Sequence, residues 1–342
     1  MQYYSTPAGR INVLKGEILA SAIPVEVLGI TGSQKKHPKN VGDTVIYRRW
    51  LPYGATAALP NRPLAAANAH ILSEGVTPSA DTLVPQDVTV TLQQYGALYA
   101  VSDKTADLYE DDIPSEMKKQ CGERMGLVRE MIRYGILKAG TNAFYAGGSS
   151  RATVATKALL SNLRKITRNL RSNHASMITG ILAPSQNFAT APVEASWLVF
   201  CHSDCEQDIR DLPGFKHPAE YGTRKPVHDM EIGSVESFRF VISPELNSYA
   251  NAGVAVGATG LFSTLGVNVD VYPMIVVGEA AWGQVALRGV DSLDPTWIPP
   301  GQKDKNDPLG QRGYIGAKFW SAAVVLNQGW MAVLEVGVTN LP

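Results

Sequence analysis

Residues 112–140, DIPSEMKKQCGERMGLVREMIRYGILKAG, constrain the fold more than any other stretch of this chain. Ile113, Met117, Cys121, Met125, Val128, Ile132 and Ile136 recur every three or four residues, which puts them on one face of a helix. Glu116, Lys119, Glu123, Glu130 and Arg133 fall mostly on other faces. Asp112 can accept bonds from the orphan N–H groups of a first turn, Pro114 is tolerated there, and Gly140 supplies a stop. Such a helix is roughly 40 Å long at 1.5 Å per residue, so it needs an extended surface to pack on. Gly122 and Gly126 each cost up to about 1 kcal/mol relative to Ala in a helix interior, which marks them as a point of close packing.

The 342 residues, 45% of them apolar, suffice for two or three packed regions. Lysine plus arginine (31) balances aspartate plus glutamate (31), so no global field steers the chain onto nucleic acid or an anionic membrane. Two local basic stretches, Gln34 to Lys39 and the helix face with Arg164, Lys165, Arg168 and Arg171, read as solvated faces. No apolar run reaches membrane-spanning length and no signal-peptide pattern opens the chain, so a protein made and kept in a cytoplasm is expected, with no membrane partner. Cys121, Cys201 and Cys205 have no framework spacing and fit reduced, buried thiols.

Along the chain, residues 1–40 are sparse in apolar side chains and read as an arm that lies on another surface. Thr44 to Leu51 and Asp87 to Val101 have strand character and should pair as a long hairpin. The Ala-, Pro- and Asn-rich residues 52–86 between them form a connection whose length suits folding against a neighbouring molecule. A second helix is expected over Val154 to Asn173, then short strands over Trp197 to His202, Gly233 to Ile242, Val267 to Val277 and Gly283 to Gly289. Asp291 to Gln311 reads as a loop, and Tyr314 to Val338 as two strands separated by Gln328-Gly329. The fold class is α+β, with the late strand pair packed on the long helix.

Chemistry is sparse. Cys201-His202-Ser203-Asp204-Cys205 is the densest reactive cluster, with His217 and His228 as the nearby residues that could complete a thiol nucleophile or a metal site. The spacing does not make the two thiols converge, and a buried strand cysteine beside a helix-capping Ser203 or Asp204 is the better reading. There is no GxGxxG after a strand, GxxxxGK[ST], HExxH or GxSxG, and the turn Tyr145 to Ser150 lacks the Lys-Ser/Thr of a phosphate loop. No catalytic residue, metal or cofactor is expected. Glu110, Asp111 and Asp112 suit the positive end of the helix.

Several stretches in this order resemble one family. They are VGDTVIYRRW (41–50), SEGVTP (73–78), VTVTLQQYG (88–96), RYGILKAGTNAFYA (133–146), VFCHSDCEQDIRDLPGF (199–215), EIGSVESFRFVISPEL (231–246), YPMIVVGEAAWG (272–283), and DPLGQRGYIGAKFW with VLNQGWMAVLEV (307–336). The chain resembles the major capsid proteins of tailed bacteriophages with the Hong Kong 97 fold, in particular the N-four-type coat proteins. The resemblance implies an arm (1–40), an extended-loop hairpin (41–101), a peripheral domain (102–151) with its spine helix (112–140), an axial domain (152–290) and return strands of the peripheral domain (291–342). It also implies self-assembly as hexamers and pentamers into an icosahedral head around double-stranded DNA, which is contacted non-specifically. The implied partners are a scaffolding protein, expected to be a separate chain because the arm begins at once, a portal protein, and in some members a decoration protein. The implied place is the virion, assembled in the host bacterial cytoplasm. Lys35, Lys36 and Lys39 on the arm, and Arg48, Arg49 and Glu74 on the loop, are the inter-subunit candidates. The alternatives are a cargo-enclosing compartment shell of the same fold and a thiol-dependent hydrolase using Cys201 or Cys205.

Overall fold

A computed structural model describes residues 26–52, 71–77, 80, 82–108, 113–178, 195–221, 226–257, 259–287, 293–303, 305 and 307–341. Asp112, the acidic residues before it, most of the arm and much of the long loop lie outside these, as does the side chain of Ile113. The strands are β1 (Ser33–His37), β2 (Thr44–Trp50), β3 (Pro85–Thr91), β4 (Gln93–Ser102), β5 (Ala143–Tyr145), β6 (Trp197–Cys201), β7 (Glu231–Val235), β8 (Phe238–Ile242), β9 (Tyr272–Val277), β10 (Trp282–Leu287), β11 (Asp294–Ile298), β12 (Arg312–Val325) and β13 (Met331–Val336). The α-helices are α1 (Asp103–Leu108), α2 (Ile113–Leu137), α3 (Leu160–Ser172) and α4 (Glu206–Arg210). They divide into two compact units, and each unit is assembled from separate pieces of sequence.

The first unit takes the chain up to Val45, then Thr91–Ile136 and Gly283–Val324. Its sheet runs β1-β10-β12-β11, with β4 also paired antiparallel to β12 over Gln93 to Ser102. The helix α2 lies on this sheet. Cys121 and Met125 pack with Ala317 and Phe319, and Val128, Ile132, Tyr95 and Tyr99 close the sides. Met117 meets Val101 and Ile315 one turn earlier. Gly316 lets β12 and β4 approach, since a Cβ there would stand 2.6 Å from the Ala97 carbonyl oxygen.

The second unit comprises Ile46–Val90, Leu137–Trp282 and the chain from Val325. Its main sheet has the order β5-β13-β9-β6-β8-β7 and mixes parallel with antiparallel pairs. Both faces of β6, β9 and β13 are buried, and Leu163, Ile166 and Leu170 of α3 join their core. The hairpin β2-β3 is a separate two-stranded sheet.

Several elements differ from expectation. The hairpin stops at Leu92, whose amide bonds the Asp43 carbonyl oxygen, and the chain turns into β4 on the other sheet. Gly233 to Ile242 is two strands, because Glu236 adopts φ 49° and turns the chain back. β11 lies inside the expected loop 291–311. The second helix begins at Leu160, since the residue before it, Leu159, is extended (φ −120°, ψ 149°). The two late strands do not form one pair, since Ala322 and Ala323 lie in β12 of the first unit's sheet and Met331–Val336 form β13 of the other sheet. The strand β13 is instead inserted between β5 and β9 in the second sheet, where Ala332, Leu334 and Val336 join the apolar core and Glu335 on the other face pairs with Arg151 at 2.6 Å.

Candidate functional site

Among the described residues the most informative features are exposed surfaces and the buried groups that anchor them. The residues that precede β1 make the most organised polar site. The Glu130 side chain, fully buried on α2, accepts the Val27 amide at 3.0 Å and the Leu28 amide at 2.8 Å, two donors left open where a short 3-10 turn (Leu28–Ile30) begins. Glu26 forms ion pairs with Arg129 (2.8 Å) and Arg133 (2.7 Å). Arg133 Nε donates to Gln284 of β10 at 2.9 Å, and Gln284 Nε2 donates to Ser321 of β12 at 3.2 Å. The Arg129 guanidinium lies 5.4 Å from the centre of the Phe319 ring. Two cations and two anions thus neutralise one another in a buried row that joins the arm, the long helix and the sheet. Burial raises the Glu130 carboxyl above its ordinary value, against the hydrogen bonds from Leu28 and Val27 and the charge of Arg133.

The sequence placed Glu130 and Arg133 outside the buried stripe, and the structure overturns this. The helix is buried along a second, adjacent stripe through Lys118, Gly122, Gly126, Arg129, Glu130 and Arg133, part of which the arm covers, while Ile136 of the expected stripe is exposed. Gly122 and Gly126 are both buried. Gly29 faces the same network, where a Cβ would come within 2.8 Å of Arg133 Nη1.

The predicted interface residues fall into two groups. Lys35 and Lys36 are exposed on β1, which has β10 as its neighbour on one side, and Lys39 is exposed in the turn after it. Arg48 and Arg49 lie on β2 and point to opposite faces. Arg48 makes a bidentate pair with Asp87 of β3, both distances 2.7 Å, which lowers the Asp87 carboxyl and satisfies the Arg48 charge within the hairpin. Arg49 Nε donates to Gln86 at 2.8 Å on the other face. Glu74 is exposed in the turn with Gly75. The sequence reading named these charges and missed the apolar groups around them. Ile46 and Trp50 share the exposed face of Arg48, and Ile71, Leu72, Val76, Leu83 and Val84 are exposed in the adjoining segments. Alternation along β2 was the signal that could have shown them.

The thiol cluster does not assemble. Cys201 and Cys205 are buried, and burial pushes both thiols well above their ordinary range, away from the reactive thiolate. The ring Nδ1 atoms of His202, His217 and His228 accept the amides of Asp204, Ala219 and Met230, so each histidine serves its own turn. The cap before the 3-10 turn 203–205 is therefore His202 and neither Ser203 nor Asp204, whose carboxylate accepts from Tyr272 at 2.7 Å. Among the described residues no three His, Cys, Asp or Glu side chains are grouped to hold a metal, and no helix is long and apolar enough to cross a membrane.

No protein-family profile matches the sequence. It is similar to the major capsid protein of Pseudomonas phage KPP21, 19% identical over 341 residues, with 87% of this chain and 85% of that protein covered. The structure is similar to the capsid of Ralstonia phage GP4 (TM-score 0.61, 9% identity, 91% of this chain and 88% of that one). It is also similar to the cyanophage Pam1 capsid (0.56, 13%, 100% and 97%) and the capsid of Helicobacter pylori bacteriophage KHP30 (0.57, 11%, 90% and 90%). The chain has the phage major capsid fold. At these identities the solved structures establish the capsid architecture, the Hong Kong 97 type that the sequence resembles, over nearly the whole chain.

Proposed function

We propose that this chain is the major capsid protein of a tailed phage, which tiles with copies of itself as hexamers and pentamers into an icosahedral head around double-stranded DNA. The observation that carries this reading is the hairpin β2-β3. A two-stranded sheet is at best marginally stable in water, and this one presents Ile46 and Trp50, about half exposed, on its outer face. Burying such side chains contributes about 25 cal/mol per Å² of apolar surface, and another subunit is the partner that the capsid fold offers. In this reading the hairpin is the extended loop, the first unit is the peripheral domain around its spine helix, and the six-stranded unit is the axial domain at the capsomer centre. Lys35, Lys36, Lys39, Arg49 and Glu74 rim the contacts, and Arg48 holds the hairpin straight through Asp87. Scaffolding protein guides assembly in the host cytoplasm, and a portal occupies one vertex.

The test is sedimentation and negative-stain microscopy of the purified full chain, alone and with the scaffolding protein encoded beside it. Capsomers or closed shells are expected. A stable monomer under all these conditions would overturn the reading, as would shells filled with a cargo enzyme in place of DNA.

A further inference from the structure

The helix α3, LSNLRKITRNLRS, contains four basic residues and no acidic one in a chain of zero net charge. Asn162, Leu163, Ile166 and Leu170 are buried, so Arg164, Lys165, Arg168 and Arg171 all project from the opposite, exposed side. Glu236 offsets Arg164 through a 2.6 Å ion pair. Lys165, Arg168 and Arg171 have no ion-pair or hydrogen-bond partner among the described residues. Beside them runs a groove of about 390 Å³ lined by Phe144, Lys165, Arg168, Asn169 and Ser172.

Helix stability does not explain this face. A cation in the last turn favours the helix dipole, which covers Arg171. Arg164 and Lys165 are in the first half of the helix, beyond the reach of its C-terminal end, and the like charges at 164/168, 165/168 and 168/171 oppose helix formation by repulsion at i,i+3 and i,i+4. A polyanion lying across the face would turn this repulsion into attraction. We infer that the exposed face of α3 is a docking surface for the phosphate backbone of duplex DNA. The step from Arg164 to Arg171 spans about 10 Å along the helix, a length over which duplex DNA presents about six phosphates. Arginine, lysine, asparagine and serine are the side chains that bind phosphate oxygens without reading sequence, and all four types line this groove. Phe144, half-buried against the core, is the one apolar side chain among the residues lining this groove, and the other four are polar or basic. The inference rests on the capsid reading, in which the shell encloses duplex DNA.

The experiment measures binding of the unassembled full-length chain to a random-sequence 30-base-pair duplex by fluorescence anisotropy across a salt series. Three phosphate contacts give a slope of log K against log salt of about −2.7, a roughly forty-fold loss between 50 and 200 mM salt. The triple variant Lys165→Gln/Arg168→Gln/Arg171→Gln should lose that slope while circular dichroism and assembly on scaffold stay as in the parent chain. The inference is overturned by absence of parent-chain binding at 20 mM salt, by an unchanged slope in the triple variant, or by loss of the slope in Lys36→Gln/Lys39→Gln instead. Binding of poly-glutamate but not DNA would overturn it in favour of an acidic protein segment. Failure of the parent chain to form any shell is a separate outcome that strikes the capsid reading, because the DNA measurement uses unassembled protein.

Discussion

Replacing Glu130 with alanine tests whether the arm is fastened by the buried charge row. The substitution removes the acceptor of two amides, at 3.0 and 2.8 Å, and leaves Arg129 and Arg133 with Glu26 as their remaining anion in the row. A buried donor left without a partner costs about 1–3 kcal/mol, and breaking a buried ion pair by deleting one partner costs about 3–5 kcal/mol. These describe overlapping parts of one loss, so about 3–5 kcal/mol is expected if the segment stays in place. The segment can also leave, which returns its amides to water and caps the loss at the free energy that docks it. Hydrogen exchange distinguishes the two, because detachment removes protection at Val27 and Leu28 first, and denaturant unfolding supplies the total. Glu130→Gln keeps a carbonyl oxygen for the amides and should cost less than the alanine variant. It should also remove a pH dependence. Burial holds the Glu130 carboxyl above 4.5 in the folded chain, so the folded state keeps its proton to higher pH than the unfolded state. The associated stability is full below about 4.5 and declines as pH rises through the folded midpoint. Unchanged protection at both amides, with a stability change within ~0.5 kcal/mol, the level of an ordinary surface substitution, would refute the anchoring role.

Further outcomes follow from packing. Gly316→Ala drives a Cβ to 2.6 Å from the Ala97 carbonyl oxygen, and overpacking of this kind costs about 1–3 kcal/mol; a thermal melt equal to the parent's would contradict the close approach of β4 and β12. Gly126→Leu, on the buried stripe of α2, should hinder folding or shell closure, read as soluble yield and particle count by microscopy. Cys201 and Cys205 should resist alkylation in the native chain and react at once in denaturant, whereas rapid native labelling of either would reopen the thiol reading.

The sequence made the long helix legible because its apolar spacing, Pro114 and Gly140 agree on one element. It misplaced Glu130 and Arg133 because a periodicity argument sorts charged residues outward by default, and their partners, the Val27 and Leu28 amides for Glu130 and Glu26 for Arg133, lie more than a hundred residues away in sequence. The strand β13 was recognised as a strand and assigned to the wrong sheet. A largely apolar run such as Met331 to Val336, buried on both faces here, carries no alternation to mark which neighbours it will choose. The hairpin charges were visible as charges, but the Arg48–Asp87 pairing depends on a register that sequence separation conceals. The basic face of α3 was fully legible as a pattern, and what sequence could not supply was the absence of acidic partners for Lys165, Arg168 and Arg171 among the described residues.

The position of β13 also sets when the six-stranded unit can be completed. Residues 331–336 fill the gap between β5, formed near residue 144, and β9, formed near residue 275. Until the ribosome has released that stretch, β5 has no β13 to pair with and β9 has an open edge. Non-local pairings of this kind form late and slowly. A partial chain that stops short of Val336 therefore lacks a finished six-stranded unit, because the strand that joins β5 to β9 has not been made.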